Sequence, residues 1–291
     1  MQLLKNYHFY ALITIICWSL AYVYTRLTLQ HFSIFSVGFL RYFIASLILL
    51  GFIIYKKIKP PKKQDYHLYL ASGGSGFFLY MILFNQGLRT VNSATSSIII
   101  ATVPIMTAIL SHVFYKEKLK TCQWLAISLE FIGILILALN GHEFTFNIGI
   151  IWLLAASLLL SIYNLLQKQL TKSYSSLQAA AYSILTGTLM LSIFSFHACR
   201  EAAAAPIEQI IYLLILGIFC STIAYITWTK AFSLTSNTAY VSNYMFITPF
   251  FAALMGYCIA GETLELSTIL GGSIILGGLF IFYKPSPKQN K

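Results

Sequence analysis

The chain has 291 residues, of which 58% are hydrophobic and only 9% charged, with a mean hydropathy of +0.76. Soluble proteins carry roughly a quarter charged residues, so no water-facing surface can be built from this composition, and a soluble enzyme or free binding domain is excluded. A net charge of +11 would point to nucleic acid in a soluble protein; here its distribution along the chain has another cause.

A bilayer crossing needs about 20 consecutive apolar residues. Ten such segments are predicted, at 8–28, 34–55, 67–88, 93–115, 121–140, 147–168, 176–198, 208–230, 237–259 and 267–283. The first is long, has no small-residue cleavage site after it and is followed by further spans, so it reads as a span and not a leader. No stretch between spans is long enough for a soluble domain, and residues 1–291 read as one membrane domain. The fold class is all-α.

Basic residues mark the cytoplasmic side of a membrane protein. With the N-terminus inside, Lys5, the Lys56–Lys63 group, Lys116, Lys118, Lys120, Lys168, Lys172, Lys230 and the C-terminal lysines are all cytoplasmic, 15 of the 19 basic residues. Only Arg26, Arg89 and Arg200 fall outside, and Arg41 lies within a span. Both termini are therefore expected in the cytoplasm. Glu201 to Pro206 reads as a simple outer loop with a helix-like cap.

Asn92 to Leu119 opens with small hydroxyl residues, is broken once at Pro104, and exits through Lys116-Glu117-Lys118. The pattern returns 145 positions later, where Asn237, Pro249, Ala253, Glu262 and Leu264 match Asn92, Pro104, Ala108, Glu117 and Leu119. The earlier spans align with an offset of 142, pairing Ser19 with Ser161, Tyr22 with Asn164 and Arg26 with Lys168. The chain thus divides into 1–142 and 143–291, five spans each. Five is odd, so the second half enters the membrane from the opposite side, and the halves are expected to be inverted repeats. That architecture typifies secondary transporters with a site near the midplane.

With Trp18-Ser19 in the first span, an Arg early in the second, and a Glu-x-Leu after the fourth and ninth, the chain resembles the drug/metabolite transporter superfamily, EamA type. The resemblance covers essentially the whole chain. It implies ten helices, inverted halves and a central cavity open alternately to each side. It also implies transport of amino acids or other small metabolites, with export leading and uptake the alternative. A bacterial inner membrane suits the short loops.

Polar and aromatic residues at mid-depth are the cavity candidates, because polar groups in a bilayer face the bundle interior. These are Trp18, Tyr22, Tyr80, Asn85, Thr95, Tyr163, Asn164, Tyr225, Trp228, Tyr240, Asn243 and Tyr244. Tyr240, Asn243 and Tyr244 are spaced to share one helix face. Such a lining suits apolar or cationic groups on its rings and carboxylates or amines on its amides and hydroxyls, so nucleotide-like, cationic or drug-like cargo stays open beside amino acids.

Two charges lie inside spans. Arg41 reads either as a carboxylate anchor or gate or as a snorkelling side chain; Glu130 reads either as a protonatable coupling group or as Arg41's partner. If Glu130 carries protons, Glu130→Gln abolishes pH-driven transport and spares exchange. Pro104 and Pro249 each remove a backbone hydrogen bond and read equally as hinges or static bends. Glu117 and Glu262 are expected to cap neighbouring helix N-termini, where the dipole favours a carboxylate.

Gly73-Gly74-Ser75-Gly76 matches the nucleophile setting of intramembrane serine proteases, but no histidine is predicted at membrane depth to activate Ser75; small residues for packing explain the run. The five cysteines have no metal-ligand or disulfide spacing, and no cofactor or nucleic acid is implied. Expected partners are the lipid bilayer, a small-molecule substrate and, as a candidate coupling ion, the proton.

Overall fold

A computed structural model describes residues 6–88, 99–138, 148–260 and 266–283. Among them every regular element is helical. The reason is the solvent: with no water in the bilayer core, each backbone N–H and C=O must be satisfied within its own segment.

Helix α1 runs Tyr7–Thr28 and α2 Ile34–Tyr55. Helix α3 is a continuous rod built from Tyr66–Gly73, a π-helical Gly74–Leu79 and Tyr80–Leu88. Helices α4 and α5 are Val103–Tyr115 and Thr121–Ala138, and α6 is Ile148–Leu170. Helix α7 begins at Ser176–Leu191, tightens at Ser192–Phe194 and continues through Ser195–Ala203. Helix α8 joins Ile207–Ile215, a π-helical Leu216–Ile223 and Ala224–Ser233. Helix α9 passes from Thr238–Ser242 through a 3-10 stretch, Asn243–Ile247, into Thr248–Ala260, and α10 is Leu266–Tyr283.

Six of these rods are long and apolar enough to cross a membrane: Tyr7–Thr28, Ile34–Tyr55, Lys63–Gly87, Ile148–Leu170, Ser176–Ala203 and Ile207–Ser233. Val103–Tyr115, Thr121–Ile136 and Ile269–Tyr283 are apolar but shorter. Large apolar side chains such as Leu47, Leu125, Leu189, Phe196 and Phe280 stay exposed on the outside of the bundle, an arrangement that lipid stabilises and water does not. This is a multi-pass membrane protein.

Side-chain caps fix several helix starts, with Asn6, Ser33, Ser175 and Asn237 each accepting a backbone N–H from the first turn. Glu201 departs from its expected loop. The helix runs on through Ala203, and the Glu201 carboxylate accepts the Ser33 N–H at 2.9 Å and pairs with His197 at 2.8 Å. It therefore holds the α2 N-terminus to the end of α7.

Pro104 and Pro249 do not bend a continuous α-helix. Pro104 occupies the first turn of α4, and Pro249 follows Thr248, where α9 returns from 3-10 to α-helix. A missing N–H costs nothing at a first turn, so each proline starts a helical segment.

The lysine-bearing connections gather at one end of the bundle. Gln178 donates to the Lys59 carbonyl at 2.8 Å, Tyr174 binds Asp65, the Lys168 ammonium binds the carbonyls of Phe232 and Thr235, and Asn237 donates to the Lys118 carbonyl at 3.4 Å. Ser33 and Glu201 mark the opposite end.

The glycine run in α3 is a packing surface. A Cβ on Gly76 would sit 2.2 Å from Cδ2 of the buried Tyr163, and one on Gly73 would sit 2.8 Å from the Gly187 backbone nitrogen. These close approaches let α3 nest between α6 and α7. Gly76→Ala is expected to cost about 1–3 kcal/mol by overpacking, read as a lower midpoint of thermal unfolding in detergent.

Candidate functional site

An aromatic cluster fills the centre of the bundle where α1, α2, α3, α6 and α8 meet. The Trp18 ring lies 4.9 Å from Trp228 and 5.4 Å, edge-on, from Tyr225. Tyr225 is 4.7 Å from Phe77 and 5.8 Å from Tyr163, and its hydroxyl lies 3.3 Å from that of Tyr42. Trp18, Tyr22 and Tyr80 keep part of their surface exposed, whereas Tyr42, Tyr163, Tyr225 and Trp228 are buried behind them. Trp18, Tyr22 and Tyr80 are thus the rings of this region with some surface left free, and the other four are packed on all sides.

Arg41 stands at the edge of this cluster, seven residues into α2 and about 10 Å from that helix's start. The residue is only 7% exposed. Nε donates to the Ser221 hydroxyl at 3.0 Å and an Nη to the Cys220 carbonyl at 3.4 Å, and the group sits 5.1 Å from the centre of the Tyr42 ring. Ser221 and Cys220 both belong to the π-helical stretch of α8. Such wide turns recur at functional sites because they loosen the helix ladder. Tyr80 and Tyr225 lie within electrostatic reach of Arg41, and Tyr22 within reach of Tyr80. A guanidinium has five N–H donors and two are used, so three have no acceptor among the described residues. No carboxylate pairs with Arg41 among the described residues, and Glu130 binds elsewhere.

Below the rings, towards the lysine end, a set of buried polar side chains bond one another. Trp228 Nε1 donates to the Asn164 carbonyl oxygen at 3.0 Å, and the Asn164 amide donates to Thr107 at 3.3 Å. Gln167 donates to the hydroxyls of Ser72 at 2.8 Å and Ser183 at 2.9 Å and accepts from Thr229 at 3.0 Å. All four members of that last hub are fully buried. It joins α3, α6, α7 and α8 and leaves no unsatisfied group to offer a ligand.

The other candidates lie apart from the rings. Asn85 donates to the Ile34 carbonyl at 2.8 Å, holding α3 to the start of α2; the crevice beside it, between Ile34, Gly38, Met81 and Leu191, has no room for a water molecule. The Tyr240, Asn243 and Tyr244 triad is split by the switch from α- to 3-10 helix at Asn243. Tyr240 packs on Phe282, Tyr244 binds His8 and stacks near Tyr283, and Asn243 donates to Glu130 at 3.0 Å. Glu117 accepts the Thr238 N–H at 2.6 Å and its hydroxyl at 2.9 Å, placing a carboxylate on the α9 N-terminus. Thr95 and Glu262 lie outside the described residues. Ser75 is buried, and its hydroxyl has no hydrogen-bond partner among the described residues.

The EamA-like transporter family model matches the chain twice, over residues 5–139 and 147–284. The chain belongs to the EamA-like transporter family. Relatives with this organisation include an uncharacterized transporter, YdfC, of Bacillus subtilis, 29% identical over 94% of the chain and 90% of that protein. A probable terminal-alkyne amino-acid exporter of Streptantibioticus cattleyicolor is 23% identical over 92% of the chain and 90% of its own length. An S-adenosylmethionine uptake transporter of Rickettsia bellii is 26% identical over 88% and 86%. A solved protein crystal structure superposes with a TM-score of 0.79 over 94% of both chains at 16% identity, which shows a shared fold. The chain is a membrane transporter of a small molecule and not an enzyme.

Within an EamA-like transporter, several central residues carry no sequence pattern of their own. Tyr42, Phe77, Gln167, Thr229 and Ser221 are absent from the list of candidates because single polar or aromatic residues in apolar spans are common. Gln167 had the clearest signal, an uncharged amide that hydrocarbon does not tolerate unpaired.

Proposed function

We propose that this transporter is a secondary carrier of small carboxylate-bearing metabolites, amino acids first, working by alternating access in the inner membrane with export as its direction. The observation that carries the reading is Arg41, a buried cation beside partly exposed aromatic rings, with N–H groups that have no acceptor among the described residues. A planar guanidinium binds a carboxylate through paired hydrogen bonds, while Trp18, Tyr22 and Tyr80 accept the apolar remainder. The amino-acid exporter and the S-adenosylmethionine transporter among the relatives are named for molecules that both carry a carboxylate.

A second reading, uptake of a nucleotide-like, cationic or drug-like molecule, is favoured by the name of the Rickettsia bellii relative and by the faces of Trp18 and Tyr80, which suit a cation or a base.

Ten spans in two inverted halves, 1–142 and 143–291, complete the proposal. Supporting it, the π-helical stretches begin at Gly74 and Leu216, 142 positions apart, and the α-segments that carry the prolines begin at Val103 and Thr248, 145 apart. Ser46 and Thr188, also 142 apart, hydrogen-bond directly at 2.8 Å, as residues on a two-fold axis do. The lysine-rich end is assigned to the cytoplasm, with both termini, by the charge rule.

The test is counterflow in liposomes loaded with single compounds. Preloaded amino acids are expected to accelerate entry of a labelled amino acid, while the matching carboxamides do not. Equal acceleration by nucleosides or quaternary amines lacking a carboxylate overturns the carboxylate reading.

A further inference from the structure

Glu130 lies away from the aromatic cluster, between α5, α10 and the 3-10 stretch of α9, and is completely buried. The chain leaves space for it deliberately: a Cβ on Gly278 would fall 2.4 Å from Glu130 Cγ. No lysine or arginine occurs on α5, α9 or α10. The titratable groups on the packed elements are the phenols Tyr240 and Tyr244 on α9 and Tyr283 on α10, with Tyr257, Cys258 and Cys122 exposed. Across from them on α1 stand Tyr7 and His8, the latter bound to Tyr244. Among the described residues an ionised carboxylate here has no counter-ion, and burying an unpaired charge is among the largest penalties available to a protein.

The hydrogen-bond pattern identifies what replaces the counter-ion. Asn243 donates its amide to Oε1 of Glu130 at 3.0 Å. Glu130 Oε2 and Asn243 Oδ1 are both buried and both without a partner among the described residues. Two oxygens that cannot bond each other as carboxylate and amide become donor and acceptor when one proton sits on Oε2. A carboxylic acid and a primary amide then close a ring of two hydrogen bonds, and both orphaned atoms are satisfied at once.

We propose that Glu130 is a proton-binding site that holds its proton as a neutral acid paired with Asn243. Asn243 opens the 3-10 stretch of α9, five residues before Thr248, where the α-helix resumes. The pair therefore fastens α5 to the irregular segment of α9, a helix that also borders α1 through the 3.2 Å bond from Ser19 to the Thr248 carbonyl. When that segment shifts, Oε2–H loses its acceptor, the O–H bond breaks, and the proton leaves to water past Tyr283, Tyr244 and His8, which stand at the chain-terminal end of α1 and α10. The protonated pair stands independently of the carrier reading; its use in coupling rests on that reading.

Infrared difference spectroscopy on the purified full chain at neutral pH tests the pair. The wild type is expected to show the C=O stretch of a protonated carboxylic acid that is lost in Glu130→Gln and shifted in Asn243→Leu, where the amide no longer bonds to it. Absence of the band from the wild type, or its persistence in Glu130→Gln, overturns the proposal. If Glu130→Gln does not fold, the wild-type band and its shift in Asn243→Leu decide between the same outcomes. In liposomes Glu130→Gln is expected to keep counterflow and lose accumulation driven by a pH gradient; unchanged pH-driven accumulation removes the coupling role. Failure of every compound to support counterflow in the wild type removes the carrier reading and leaves the infrared result standing.

Discussion

Arg41→Gln is expected to raise the half-saturation concentration for a carboxylate substrate by roughly 10- to 150-fold, the equivalent of the about 1.5–3 kcal/mol that a hydrogen bond to a charged group contributes. Glutamine ends where Nε stood and so keeps a donor for the Ser221 hydroxyl while losing the longer bond to the Cys220 carbonyl, and the α2–α8 contact is expected to survive with a small change in thermal midpoint. Arg41→Lys keeps the charge but loses the planar fork and is expected to fall between the two. Concentration-dependent counterflow separates binding from a structural role. A proportionate loss in maximal rate, with unchanged half-saturation and a large drop in melting temperature, would show that Arg41 only braces the helices.

The largest effect on stability is expected at Gln167. Leucine there matches the apolar span but strands the hydroxyls that the amide now satisfies on Ser72, Ser183 and Thr229. Ser72 and Ser183 also bond each other at 2.9 Å, so part of the network survives. Leaving a buried donor or acceptor unmade costs about 1–3 kcal/mol, and Gln167→Leu is expected to cost about 2–4 kcal/mol. Ser46→Ala supplies the contrast. Its partner Thr188 still has the carbonyls of Ile184 at 2.8 Å and Tyr42 at 3.2 Å, so the loss is near the about 0.6 kcal/mol of an ordinary interhelical bond in a bilayer. Thermal unfolding of both variants in the same detergent compares them; equal destabilisation would refute the hub.

Placed together, the two sites suggest why the ends of the bundle differ. Arg41 and Ser183 are 142 positions apart, equivalent places under the proposed repeat. At Ser183 every polar group is used up internally; at Arg41 donors remain. Under the proposed repeat, the bonded hub would belong to the end that stays shut and Arg41 to the end that receives the solute.

The sequence alone determined that the chain lives in a membrane, that its elements are helices, and, for α1, α2, α3, α6 and α8, where they begin and end to within a few residues. The physical reason is that hydrocarbon imposes one local rule on every segment, apolar side chains around a self-satisfied backbone, and a local rule is legible one segment at a time. The α2 bounds, 34–55, match the expected span residue for residue. Glu117, expected past a helix end to cap a neighbour, accepts the Thr238 N–H and hydroxyl. Only the tertiary structure decided which polar residues meet. Asn243 and Tyr240 share a spacing, yet the 3-10 stretch sends one to Glu130 and the other to Phe282. Arg41 and Glu130, the two intramembrane charges, are the natural pair on paper but have separate partners, Ser221 and Asn243. Pro104 and Pro249, visible in the sequence as breaks, prove to start α-segments. Side-chain partnership depends on helix rotation and on local π and 3-10 windings that shift the faces of α3, α8 and α9. No periodicity in the amino-acid string encodes that rotation.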